Sequence, residues 1–255
     1  MNARETILSR LRAGLSRSDL RFPPPETMNL SERMEVTHQD GDAWDLADRF
    51  RRELSAIHGS AEVLETPVAA RMAVIAQIGA WVVEDQAERR TQNPVRASDR
   101  EILCWEPQRL PVPGLEESLT DLGYQLIAPK DLSKGPERER IREIRAGITG
   151  VDAAFATTGS FLVGGGQGRS RAASLTPLRH LALIPFSRLF PNAERWMAMH
   201  RRAGTLVDYL HQSANVSLIT GPSKSADIAG SLTLGVHGPK VLHAILFDDR
   251  DGGEV

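Results

Sequence analysis

Cysteine is nearly absent from this chain: Cys104 is the only one in 255 residues. An intrachain disulfide is therefore impossible, and so is a cysteine-ligated iron–sulfur cluster, which usually needs four thiolates. One free thiol fits a reducing, cytoplasmic setting. An excess of either charge is missing too, with 31 Lys and Arg against 33 Asp and Glu. That balance argues against general nucleic-acid binding, which calls for a strongly basic domain. Long apolar runs are also lacking. The longest, Met72 to Val83, is about twelve residues, against the ~20 of a membrane span. At the N-terminus Ile7, Leu8, Leu11 and Leu15 share one helical face with arginines opposite, so no apolar export signal is expected. The seven histidines stand apart, without H-E-x-x-H spacing or a cysteine partner, and no metal is expected. A G-x-S-x-G nucleophile elbow is absent as well.

What is present is alternation. Residues 1–60 read as a helical arm and linker. A first helix is followed by the proline-rich "FPPPETMN", and a second helix runs from Ala43 to His58. From residue 61 to 255 the pattern predicts an α/β domain, a mostly parallel sheet with helices on both faces. "AEVLE", "EILCW", "YQLIA", "HLALIP", "NVSLITG" and "LHAILFDD" are strand candidates, with two more short strands around the Thr-Thr-Gly of "AAFATTGSFLVGG". Thr66 and Pro67 are placed as N-cap and first residue of a helix. Glu137 to Gly147 reads as a charged helix with Ile141, Ile144 and Ile148 as its buried stripe, and Glu194 to Gln212 as one long helix.

Three loops carry the chemistry. In "SFLVGGGQGRSR" the backbone amides of Gly164, Gly165, Gly166 and Gly168 can turn toward one anion. Arg169 and Arg171, with Ser170 between them, are suited to clamp a carboxylate or phosphate. The competing reading is a glycine-rich hairpin whose arginines pair with the protein's own acids. Neither familiar phosphate signature fits: Arg169 stands where G-x-G-x-x-G needs glycine, and Gly-Arg-Ser replaces Gly-Lys-Ser. No nucleotide cofactor is therefore expected. The second loop, "ITGPSKSADIAG", offers Thr220, Gly221, Ser223 and Lys224 as ligand contacts. Ser223 or Ser225 is placed there as the cap of a short helix, with Asp227 in its first turn. His237, between glycines in the third loop, is a candidate acid or base together with Asp227. His243, within a strand, reads as packed.

These stretches, "GITGVDAAFATTGSFLVGGGQGRSRAASLTPLRHLALIP", "ITGPSKSADIAGSLTLGVHGPK" and "LHAILFDD", resemble the LUD domain of the lactate-utilisation protein C family. The resemblance covers roughly residues 60 to 249. It implies a fold akin to the phosphosugar-isomerase and CoA-transferase superfamily. It also implies a bacterial cytoplasmic role in oxidising L-lactate to pyruvate, alongside iron–sulfur companion proteins. On that reading the chain is a subunit that binds a small anionic ligand and carries no redox cofactor of its own. Two alternatives stay open: a free-standing isomerase- or acyl-CoA-transferase-like enzyme, and a non-catalytic metabolite-binding partner.

Overall fold

The computed structural model describes residues 3–17, 41–88, 99–133, 135–226 and 232–250. The chain divides into two compact units, residues 1–36 and 37–255. Among its described residues the first unit has one helix, α1 (Ala3–Leu15). In the larger unit α2 (Ala43–Ala56) opens on a capping box. The Asp42 carboxylate accepts from the amides of Trp44 and Asp45, and the Asp45 carboxylate accepts in turn from the Asp42 amide. Leu46, Ala47, Phe50 and Leu54 then form a buried stripe, so α2 is built into the core of the larger unit.

Six strands make the main sheet: β1 (Ser60–Leu64), β2 (Glu101–Cys104), β3 (Gln125–Ile127), β4 (Ala146–Gly150), β7 (Arg179–Pro185) and β12 (Val241–Phe247). Their order is β1-β12-β7-β4-β2-β3, and every neighbouring pair is parallel. The apolar run of β7 is buried at every residue and β12 at all but its first. Strands of a parallel sheet covered on both faces read this way. α3 (Pro67–Glu88) covers part of the sheet. The Thr66 hydroxyl caps it by accepting from the Ala69 amide at 3.1 Å. By length and composition α3 could cross a membrane, yet Ala70, Val74, Ile78 and Trp81 at helical spacing are core residues. α4 (Leu115–Asp121) precedes β3.

Two helices are shorter than their sequence pattern suggests. The charged helix is α5 (Gly135–Arg142); it stops short of Gly147, which lies instead in β4, between β7 and β2. A Cβ at Gly147 would overlap the Ala173 carbonyl oxygen, so this glycine allows α6 (Ala172–Leu175) to lie directly on the strand. Tertiary pairing, not local propensity, sets the state of this segment. The long helix is two, α7 (Ala193–Arg202) and α8 (Leu206–Gln212), broken at Gly204 with φ +68.

A second sheet joins β5 (Ala153–Phe155), β6 (Ser160–Gly165), β8 (Leu189–Phe190) and β9 (Asn215–Ile219) in the order β8-β5-β6-β9. β5 and β6 form the antiparallel hairpin around Thr-Thr-Gly. Lys224–Ala226, expected at the start of a helix, is a strand. β10 (Lys224–Ala226) pairs antiparallel with β11 (Leu232–Leu234), and bonds from the Gly235 amide to the Ser223 carbonyl and from the Ser223 amide to the Pro239 carbonyl anchor its base.

Candidate functional site

In open parallel sheets ligands gather at the carboxyl ends of the strands, and two clefts, of about 380 and about 420 Å³, lie within the size range of small-molecule sites, roughly 300–1,000 Å³. The 420 Å³ cleft is at that edge. β2 runs into Trp105, β4 into Val151 and Asp152, β7 ends at Pro185, and β12 is followed by Asp249. Three guanidinium groups converge on it: Arg109 from the turn Pro107–Arg109, Arg188 from the turn Phe186–Arg188, and Arg169.

Arg169 has a carboxylate partner. Its Nη1 donates to Asp152 Oδ1 at 2.8 Å, and its guanidinium lies 5.7 Å from the centre of the Trp105 ring. Asp152 Oδ2 accepts from the Gly164 amide at 2.6 Å and from the Tyr209 hydroxyl at 3.0 Å. Burial and the neighbouring Asp152 charge push the Tyr209 phenol well above its ordinary range, so it stays a donor. The glycine amide thus meets an anion, and that anion is a carboxylate of the protein. The remaining glycines shape the backbone. Gly165 passes the side chain of Asn215 where a Cβ would intrude. Gly166 and Arg169 exchange both backbone bonds. Gly168 turns with φ +71 and accepts from the Glu106 amide at 2.8 Å.

The rest of the cleft is less committed. Arg109 reaches Glu106 only at 3.5 Å. Arg188 touches the Asp152 carbonyl at 3.4 Å and pairs with no carboxylate among the described residues. Asp249 accepts from the amide and hydroxyl of Ser187. The indole Nε1 of Trp105 is buried with no hydrogen-bond partner, and a buried donor without one is rare. An open cluster of cationic and N–H donors can bind a small carboxylate or phosphate. Arg109, Arg188 and Trp105 carry no sequence signature of their own. Only their position after strand ends would have pointed to them.

The other loop residues lie elsewhere. Arg171, Thr220, Gly221, Ser223 and His237 line a second cleft of about 380 Å³, at the amino ends of β7 and β12, where His180 and Leu242 are the second residues of their strands. The structure therefore sends Arg169 and Arg171 to opposite edges of the sheet. Ser170 accepts from the Ala172 amide at 3.3 Å, at the start of α6. Lys224 is exposed on β10. Asp227 lies outside the described residues. His243 is buried, as its strand position implies, with Nδ1 2.8 Å from the Ser60 hydroxyl. Among the described residues no three His, Cys, Asp or Glu side chains come together as metal ligands.

The model of the LUD domain family matches residues 47–247, from within α2 to the end of β12. The chain belongs to the LUD domain family. Among curated relatives of this LUD protein, lactate utilization protein C of an Exiguobacterium species is 43% identical over 120 residues, 46% of this chain and 51% of that one. The protein of the same name from Halalkalibacterium halodurans is 30% identical over 169 residues, 65% and 71% of the two chains. That from Bacillus subtilis is 31% identical over 121 residues, 47% and 50%. The LUD chain thus matches about half of the Exiguobacterium and Bacillus relatives. A solved structure of a DUF162 family protein from Deinococcus radiodurans aligns with 82% of this chain and 99% of its own, at TM-score 0.53 and 14% identity, and so shares the fold.

Proposed function

We propose that this LUD protein serves bacterial L-lactate utilisation as a cytoplasmic subunit that holds a small carboxylate, L-lactate or pyruvate, in the carboxyl-edge cleft. The observation that carries this reading is the set of uncommitted donors there. Arg188 lacks a carboxylate partner among the described residues, Arg109 is loosely held, and the Trp105 indole N–H is buried and unpaired. Two N–H groups of one guanidinium match the two oxygens of a carboxylate, and the indole can donate to the 2-hydroxyl or 2-oxo oxygen. The relatives' name, lactate utilization protein C, supports lactate or pyruvate as the carboxylate.

Oxidising lactate to pyruvate removes two electrons, and one cysteine cannot hold an iron–sulfur cluster. Cys104 is buried, and that burial pushes its thiol up to about 12. Cluster-borne electron transfer therefore falls to iron–sulfur companion proteins, with this chain presenting the substrate. Deleting the gene should abolish growth on L-lactate as sole carbon source and spare growth on pyruvate. Normal lactate growth and oxidation, in a strain without a paralogue, would remove the reading.

Asp249 favours a second reading. Its half-buried carboxylate beside three arginines is placed to act as a base in an isomerase or acyl-CoA transferase. Turnover of a phosphosugar or acyl-CoA by the purified chain alone would select it.

A further inference from the structure

We infer that the amino-edge cleft is a second small-molecule site, separate from the carboxyl-edge cleft and built for a free acid that has an apolar body and a neutral hydroxyl or carbonyl group. The two clefts share no lining residue. From His180 to Pro185, β7 alone puts roughly 16 Å between them.

The floor of this cleft is His180, the second residue of the run "RHLALIP" and 1% exposed. Its Nε2 lies 2.9 Å from the Thr149 hydroxyl on β4, and its ring packs at 6.0 Å against Phe161. Nδ1 is buried and has no hydrogen-bond partner. The large majority of buried polar side-chain atoms in proteins do have one, so an unfilled nitrogen in a ring lining a cleft marks a place for a ligand atom. Burial pulls the imidazole down to about 3, and the ring is neutral at cellular pH. A neutral ring presents either one N–H or one lone pair, and the Thr149 hydroxyl can complement both tautomers. The matching group is a hydroxyl or a carbonyl.

Around this polar point Leu175, Leu218, Leu242 and Pro239 supply apolar wall, interspersed with the hydroxyl residues Ser217, Thr220 and Ser223. Leu175 and Leu218 are 42% and 59% exposed, unusually open for large aliphatic side chains lining a concavity. Both basic groups of the cleft besides the floor histidine, Arg171 and His237, are exposed. No carboxylate among the described residues pairs with the Arg171 guanidinium. Charge recognition thus belongs to the exposed rim, apolar contact to the leucines of the walls, and a neutral hydrogen bond to the floor. Lactate and pyruvate have no apolar body to match those walls.

The test is isothermal titration of the full chain with 2-hydroxyoctanoate, octanoate and L-lactate, with imidazole nitrogen resonances followed in parallel. The hydroxy acid should bind, and octanoate should bind roughly five- to tenfold more weakly for want of one hydrogen bond. The His180 Nδ1 resonance should move with the hydroxy acid and stay with octanoate. Arg171→Ala should weaken the hydroxy acid about tenfold, Leu218→Asp should abolish its binding, and Arg142→Ala on α5 should change nothing. Failure of 2-hydroxyoctanoate to bind would overturn the inference. So would equal affinity for the two acids with an unmoved His180 resonance.

Discussion

Arg169 is bonded to Asp152 at 2.8 Å, while Arg171, two residues further on, lines a cleft at the other edge of the sheet. Asp152 is the pivot, because its second oxygen also holds the Gly164 amide and the Tyr209 hydroxyl. The side chains of the ion pair are 21% and 9% exposed. Removing one partner therefore leaves a largely buried charge with part of its bonding gone. Arg169→Ala should lower unfolding stability by about 2–4 kcal/mol. Arg171→Ala, exposed and without a carboxylate partner among the described residues, should cost less than about 0.5 kcal/mol. Urea unfolding of the two variants checks the contrast, and equal losses would contradict it.

Two glycines make a matched pair. At Gly147 a Cβ would meet the Ala173 backbone carbonyl and the Pro177 ring, so Gly147→Ala should destabilise by about 1–3 kcal/mol. Gly79, inside α3, has open space where its Cβ would go. Gly79→Ala should stabilise by about 0.5–1 kcal/mol through helix propensity. Melting temperatures should shift in opposite directions.

Acid sensitivity follows from buried histidines. Burial lowers the pKa of both His180, to about 3, and His243. The unfolded chain, with histidines near 6.5, therefore takes up the protons first as pH falls. Their contribution is whole above about pH 6.5 and is lost progressively below it. Between pH 6.5 and 5, His180 alone should remove about 2 kcal/mol. The lowered carboxylates Asp48 and Asp248 act only below about pH 4, outside this window. Denaturant unfolding at several pH values should show the slope, and His180→Gln should flatten it.

Much of the fold was legible in the sequence because several elements carry their own signals. The apolar runs of β7 and β12 and the Thr66–Pro67 start of α3 are local patterns that tertiary packing left in place. β4 was hidden since "AGITG" follows a charged helix without a strong break, and its strand state comes from neighbours on both sides. Gly204 inside an apparently continuous helix is read correctly only once its positive φ is known. At the site, sequence proximity misled. Arg169 and Arg171 look like one clamp, whereas the turn into α6 directs them to different clefts. His180 was concealed by the apolar residues that surround it, the same burial that leaves its Nδ1 without a partner.

The central claim, that a small carboxylate binds among the uncommitted donors at the carboxyl edge, is tested most directly by titrating pyruvate and L-lactate into the purified protein and three variants. Arg188→Ala should weaken binding roughly tenfold or more through loss of a charge-assisted pair. Trp105→Phe, which removes the indole N–H and keeps an aromatic ring, should weaken it about three- to tenfold. Arg171→Ala should leave it unchanged. Undiminished binding in Arg188→Ala, or a loss confined to Arg171→Ala, would contradict the account.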